Sequence, residues 1–526
     1  MIRFFIPFSA AWTAACIAAW MLASVAARAQ QTTPPPTQID WANVHTTTVA
    51  SMDALYNLRF DEAEQRANDV IRMASSDPRG YFFKAMTYYY RFQYARMGGA
   101  NKQQKEEVFQ RFTRAAQRVT NVCEQLLASN PKDAKVMFYL GGLHGYRGLA
   151  AAMNNDFTKA LWYGKKGYDM LSEAVKLDPQ NADAQMGLGL FNYLISQTPA
   201  IMRGAVKLAS LSGNKNEGLR QLEFAAANGI YARAEAQYWL AGFYSGNGSF
   251  FSNGENLPER SEKFYKAFIV QYPKNALARY FYGRMLISNL RRADDAMKQF
   301  QEASDDVNGP GKLFAATSSF QLGLIQMKKQ DYATAITTFQ RALSLSKEIG
   351  QSWDAIHESI GLCYDLQGKR VEANAAYQKA GDDKDAKERL AKPLTEADMA
   401  AMKAGFAFDV GDYDKSAAAC AELLKRGDLT NDIRGYASYY AGRTAFERND
   451  FRQAEAQLAQ AVNTQPQKPN SLLPAAHYWL GMAQAKLGKT GDAVASLDQA
   501  DAFKNYEGES TLRQRIEREK ARLKRQ

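Results

Sequence analysis

Along most of the chain, apolar residues recur every three or four positions between short polar breaks, and no stretch of useful length alternates with period two. The pattern predicts helices throughout and no sheet. In the second half these helices form a ladder. Gly323, Tyr332, Ala335, Phe339 and Ala342 lie at offsets of 9, 12, 16 and 19 from the glycine, and Gly442, Phe451, Ala454, Leu458 and Ala461 repeat the spacing. Gly481, Ala493, Leu497 and Ala500 follow it again. Gly361, Ala373, Tyr377 and Ala380 keep it with Arg370 in the aromatic slot, and Ala404, Tyr413, Ser416, Cys420 and Leu423 start it from an alanine. A small residue in a first helix lets a second approach closely, and the large residue four beyond the alanine lies on the alanine's face. Turn residues such as Lys329-Gln330-Asp331, Gln367-Gly368-Lys369, Val410-Gly411-Asp412 and Arg448-Asn449-Asp450 sit where each pair must reverse. Each unit is therefore an antiparallel helix pair.

The order and residue types of this ladder resemble the tetratricopeptide repeat, which implies an all-α fold: an α-α superhelix of stacked helix pairs. Ala335, Ala373, Ser416, Ala454 and Ala493 are spaced by 38, 43, 38 and 39 residues, more than the repeat's 34, so longer helices or loops and an irregular pitch are expected. The first half carries the same grammar more loosely, in Phe60-Asp61-Glu62-Ala63, in Asn155 to Ala160 with Ala174 to Pro179, in Gly242 with Phe264 and Ala267, and in Arg291 to Ala296. A more specific segment runs from Gly189-Leu190-Phe191-Asn192-Tyr193-Leu194 through Pro199 to Leu211-Ser212-Gly213-Asn214-Lys215 and Gln221-Leu222-Glu223. It resembles the tetratricopeptide repeat 39 / inclusion-body-clearance family. That resemblance implies a helical superhelix without a known catalytic site, acting through partners or at membrane and lipid surfaces.

The amino terminus adds a compartment. Arg3, an uncharged run from Phe4 to Ala27, and Ala27-Arg28-Ala29 before Gln30 read as a secretory signal cut after Ala29, with an uncleaved anchor as the competing reading. The expected organisation is a signal over 1–29, a proline-rich linker over 30–40, an irregular helical domain over 41–303, a repeat array over 312–511 and a basic capping helix over 512–526. Export to the periplasm or envelope follows. Cys123, Cys363 and Cys420 remain after the cut, widely spaced and without a CxxC pair, which reads as buried thiols rather than a metal site.

Composition then removes function classes. With 46% hydrophobic and 23% charged residues, the 526-residue chain buries a core, and a mean hydropathy of -0.43 excludes a polytopic membrane protein. The formal charge of +11 is a clear basic excess, but an exported chain is not expected to meet nucleic acid. GxSxG, HExxH, Walker A and a strand-to-helix GxGxxG are missing. His45, His144, His357 and His477 lie far apart. No enzyme activity, cofactor or metal is expected.

The candidate partner-binding residues are Tyr88 and Tyr89 in an aromatic run, Phe250 and Phe251 in the loop Ser245 to Asn256, His144 among small residues that suggest a cavity, and His477 in the last repeat. Tyrosines offer contact area with few torsions to freeze. The function expected is a non-enzymatic scaffold holding a protein or peptide on its concave face, with peripheral membrane or lipid contact as an addition. The alternative is a carrier of small apolar or lipid ligands in the first half, motivated by Phe191 to Leu211.

Overall fold

The computed structural model describes residues 39–97, 100–198, 204, 211–246, 256–306, 311–351 and 353–525. The signal, the proline-rich stretch through Gln38, the Phe250-Phe251 pair, and Pro199 with most of the segment to Ser210 lie outside these residues.

The described residues contain 24 α-helices and no strand. In the first half they pair as α1 (Trp41–Tyr56) with α2 (Phe60–Met73), α3 (Pro78–Met97) with α4 (Lys102–Ser129), and α5 (Ala134–Met153) with α6 (Phe157–Leu177). Then come α7 (Ala182–Ser196) with α8 (Lys215–Asn228), α9 (Arg233–Ser245) with α10 (Pro258–Gln271), and α11 (Ala276–Leu290) with α12 (Ala293–Ser304). The second half continues with α13 (Lys312–Lys328) and α14 (Tyr332–Glu348), α15 (Asp354–Asp365) and α16 (Arg370–Tyr377), and a short α17 (Lys384–Ala391). It closes with α18 (Glu396–Asp409) and α19 (Tyr413–Leu424), α20 (Asn431–Glu447) and α21 (Phe451–Asn463), α22 (Leu472–Lys486) and α23 (Thr490–Ala502), and α24 (Glu509–Leu523). The chain is an α-α solenoid of tetratricopeptide type.

One turn recurs within seven of these pairs. The residue between the helices has positive φ at Leu58, Asn155, Gln330, Gly368, Gly411, Asn449 and Gly488. The next N–H reaches back five residues, as from Asp331 to the Gln326 carbonyl and from Asp156 to that of Ala151, both at 2.9 Å. This is the Schellman closure of a helix end. Asp156, Asp331, Asp412 and Asp450 then cap the second helix by accepting the N–H three residues on. Leu58 and Asn155 place the loosely patterned first half in the same class as the regular repeats.

The ladder glycines work by exclusion. A Cβ on Gly323 would meet the Phe339 ring at 2.6 Å, one on Gly361 the Tyr377 ring at 2.4 Å, and one on Gly442 the Leu458 side chain at 2.6 Å. Each glycine thus receives the large residue of its own second helix, as its spacing predicts. Cys123, Cys363 and Cys420 are free and buried, and burial raises their thiol pKa values to about 12, 12 and 11.

The halves run on without a break in packing: Phe314 at the start of α13 lies 5.6 Å from the Tyr94 ring and 6.0 Å from Tyr280. The first half also closes on itself. The Tyr56 carbonyl at the end of α1 accepts the Asn275 amide at 2.7 Å, and Asn57 Oδ1 accepts the Lys274 N–H at 3.2 Å. The first helix pair therefore touches the start of the sixth, which is the irregular pitch that the long repeats foreshadow. At the carboxyl end, Ile516 and Leu523 of α24 are buried against Ala493, Leu497 and Ala500, so the basic helix covers the last repeat.

Candidate functional site

Two regions of the first-helix face differ in chemistry. In the first half that face is filled. Tyr56, Tyr89, Tyr90 and Tyr146 converge from α1, α3 and α5 on Glu235 of α9, which is 3% exposed. Tyr146 and Tyr56 donate their hydroxyls to Glu235 Oε2, and Trp239 Nε1 donates to Oε1 at 3.4 Å. Burial pushes the Glu235 carboxyl pKa up, and these donors only partly offset it.

Beside this cluster lies an apolar cavity of about 240 Å³. It is walled by Phe82 and Met86 of α3, Gly145 and Leu149 of α5, Leu161, Gly164 and Tyr168 of α6, Met186 and Phe191 of α7, and Leu211. Its two acids are satisfied from the protein side. Asp183 accepts the backbone N–H groups of Ile230, Tyr231 and Ala232 at 2.8, 3.0 and 2.9 Å, and Glu235 has its aromatic donors.

In the second half the first helices α18, α20 and α22 stand side by side and keep part of their aromatic surface exposed. The Arg443 guanidinium lies 3.5 Å from the Trp479 ring centroid and 4.9 Å from that of Phe408, and its Nη2 reaches Glu447 at 2.9 Å. Arg443 and Phe408 are buried, while Tyr439, Tyr440 and Trp479 are half-buried around them. Arg515 of α24 joins the same neighbourhood. Its pKa is lowered first by burial, with Arg518 and Arg443 adding like charge against the attraction of Tyr478. Among the described residues no carboxylate pairs with Arg515.

The sequence-chosen residues do not converge. Tyr89 is 4% exposed, its ring 4.9 Å from Tyr146 and 5.9 Å from Phe112, so it is core and presents nothing to a partner. Tyr88 is half-buried and donates to Glu64 at 2.5 Å. Burial and that carboxylate raise its pKa to about 12. His144 does sit among small residues that border the cavity, but its ring faces α6 instead, stacked 5.8 Å from Tyr163. Burial, with Arg147 and Lys166 nearby, lowers its pKa to about 4, and its Nδ1 has no partner. His477 is half-buried beside Phe503, and burial lowers its pKa. Phe250 and Phe251 fall outside the described residues. Asn214 caps α8 by accepting the Glu217 N–H, which makes the Ser212-to-Lys215 stretch a capped turn.

Sequence reasoning put His144, rather than the glycines around it, at the cavity, and missed the Arg443–Trp479–Arg515 neighbourhood. The glycines had a signal, the run Gly141, Gly142, Gly145 and Gly148 on one helix. The neighbourhood had none, because its members lie in different repeats. Among the described residues no helix is long and apolar enough to cross a membrane, and no His, Cys, Asp and Glu cluster could hold a metal.

A model of the Iml2/Tetratricopeptide repeat protein 39 family matches residues 156–409, and a Tetratricopeptide repeat model matches residues 439–507. The chain is a tetratricopeptide repeat protein that resembles the tetratricopeptide repeat 39 family. Among solved structures it is similar to a tetratricopeptide repeat protein from Parabacteroides merdae, at 14% identity over 56% of this chain and 97% of that one, with a TM-score of 0.27. Yeast Tom70 matches at 12% identity over 92% of this chain and 96% of its own, with a TM-score of 0.26. The pilF protein of Pseudomonas aeruginosa matches at 15% identity over 54% and 90%, with a TM-score of 0.25.

Proposed function

We propose that this chain is an exported, non-enzymatic scaffold whose second-half inner face, across α18, α20, α22 and α24, holds a protein or peptide partner carrying acidic side chains. The observation that carries the reading is the half-open surface of Tyr439, Tyr440 and Trp479, backed by Arg443 and Phe408, with the unpaired Arg515 beside it. Aromatic and arginine side chains together are the residues that concentrate binding energy at protein interfaces. A cation held half-buried among other cations gains most when a carboxylate arrives, since the repulsion it already bears is relieved. Tyr88 and Tyr89 have no part in this surface. The basic balance of the whole chain favours encounter with the same acidic partner.

A photocrosslinker at Tyr439, read by mass spectrometry in intact cells, tests the proposal, with the same probe at Val371 as a control on an exposed position elsewhere. A discrete protein adduct at position 439, weakened by Arg515→Glu, is expected. Equal adducts at both positions, or none at 439, would sink it.

A further inference from the structure

We propose that the apolar cavity bounded by α3, α5, α6 and α7 is a binding site for one hydrocarbon chain, the acyl chain of a fatty acid or of a lysophospholipid. The proposal is independent of the scaffold reading, because it concerns a different half of the chain. Its volume of about 240 Å³ exceeds the ~150 Å³ of a dry apolar cavity that accepts a benzene ring. Asp183 and Glu235, the acids that border it, are already bonded from the protein side. Its free surface therefore asks for hydrocarbon rather than for a polar ligand.

The glycines of α5 supply a second, independent observation. A Cβ on Gly141 would lie 2.8 Å from Leu171, on Gly142 3.3 Å from the Phe82 ring, and on Gly148 3.2 Å from the Ala160 carbonyl. Close packing explains each of these. At Gly145 a Cβ would meet nothing within 4 Å, and the residue lines the cavity. A glycine inside a helix costs roughly 0.5–1 kcal/mol relative to alanine, yet no neighbour requires this one. What it preserves is space.

On α6, Ala160, Leu161, Gly164 and Tyr168 turn one face to the cavity, while Phe157 and Trp162 stand 48% and 52% exposed. Away from that face the Lys166 ammonium lies 4.0 Å from the Trp162 ring centroid, and Lys159 and Lys165 are paired with Asp156 and Asp169 at 2.8 and 2.5 Å. The cavity face of α6 therefore offers a bound molecule hydrocarbon contacts and no charge.

The test is calorimetric titration of the purified, delipidated chain with palmitate and, separately, with lysophosphatidylglycerol, for the wild type, Gly145→Ala and Gly145→Leu. One chain bound per protein is expected for the wild type and for Gly145→Ala. In Gly145→Leu the leucine fills the space, so affinity should fall by roughly tenfold or more while the unliganded melting temperature holds or rises. Which of the two ligands binds more tightly distinguishes a free fatty acid from a headgroup-bearing lipid. If Gly145→Leu does not fold, Ala152→Leu, which fills the cavity from the end of α5, takes its place. Absence of binding to the wild type by either ligand overturns the proposal, as does unchanged binding in a folded cavity-filling variant.

Discussion

The two halves share one hairpin grammar and turn it to opposite ends. Leu58 and Asn155 make the same left-handed turn as Gln330 and Asn449, and each is followed by the same backward hydrogen bond. They differ on the first-helix face. From α1 to α11 that face is crowded with large rings around a buried Glu235, and the first pair closes onto the start of α11. From α18 to α24 it carries Arg443 and Arg515 among half-buried rings, on first helices that stand side by side. Arg443 is already paired with Glu447, but Arg515 has no carboxylate among the described residues, so closing this face over it would bury a cation without a partner. Tyrosines that gather on one carboxyl can collapse and become core. The same repeat thus gives a body in one half and a surface in the other.

The severest challenge to this contrast is Glu235→Leu. It strips the acceptor from Tyr146, Tyr56 and Trp239 at once, and each orphaned buried donor costs roughly 1–3 kcal/mol. We expect a loss of roughly 3 kcal/mol or more, confined to the first half. Hydrogen exchange should show α1 to α11 opening while α18 to α23 keep their protection, and equal loosening of both halves would refute the separation.

Next in size is a pH effect at His144, whose folded pKa of about 4 lies below the ordinary 6.5. The folded state keeps the ring neutral while the unfolded chain takes up a proton. Stability is therefore complete above pH 6.5 and lost as pH falls toward 4, by roughly 2–3 kcal/mol. Denaturant unfolding of wild type and His144→Phe at pH 7 and pH 4.5 should diverge only at the lower pH, with the variant the more resistant. Parallel curves at both values would show that His144 is not held neutral.

The smallest effect belongs to the regular half. Gly442→Ala puts a Cβ 2.6 Å from Leu458, and overpacking of this kind costs roughly 1–3 kcal/mol. The Leu458 side chain can give, but the Leu458 N and the Ala454 carbonyl, at 3.0 and 3.2 Å, are backbone and cannot, so some loss remains. Thermal unfolding should report the loss, and Gly442→Ala with Leu458→Ala should lose less than the sum of the two single losses. A neutral Gly442→Ala would mean that the helix crossing is looser than the ladder implies.

Much of this architecture is legible in the residue spacing, and the parts that are not share a cause. Gly323 with Phe339 and Gly442 with Leu458 are contacts between residues 16 apart, inside one hairpin, so spacing alone identifies them. The turns at Gln330, Gly368, Gly411 and Asn449 are equally local. Tyr89 misleads because an aromatic run on a helix looks the same whether the solenoid is open or closed. Its burial follows from packing against Phe112 and Tyr146, which lie in the next helices. His144 does lie beside small residues, but which side of α5 it occupies depends on how α6 docks. Arg443 and Arg515 are 72 residues apart, and nothing in their local sequence joins them.

Residue order alone dictates the helices, their pairing, the turns that close each pair and the small-to-large contacts inside it, because all of these act over less than one repeat. How tightly the solenoid coils is settled by the packing of one pair on the next. That packing makes the first-helix face of the first half a core with an apolar cavity at its edge and leaves the first-helix face of the second half with half-buried rings. Coiling sums small rotations between neighbouring pairs, so its outcome is carried by no single residue and emerges only when the pairs are stacked.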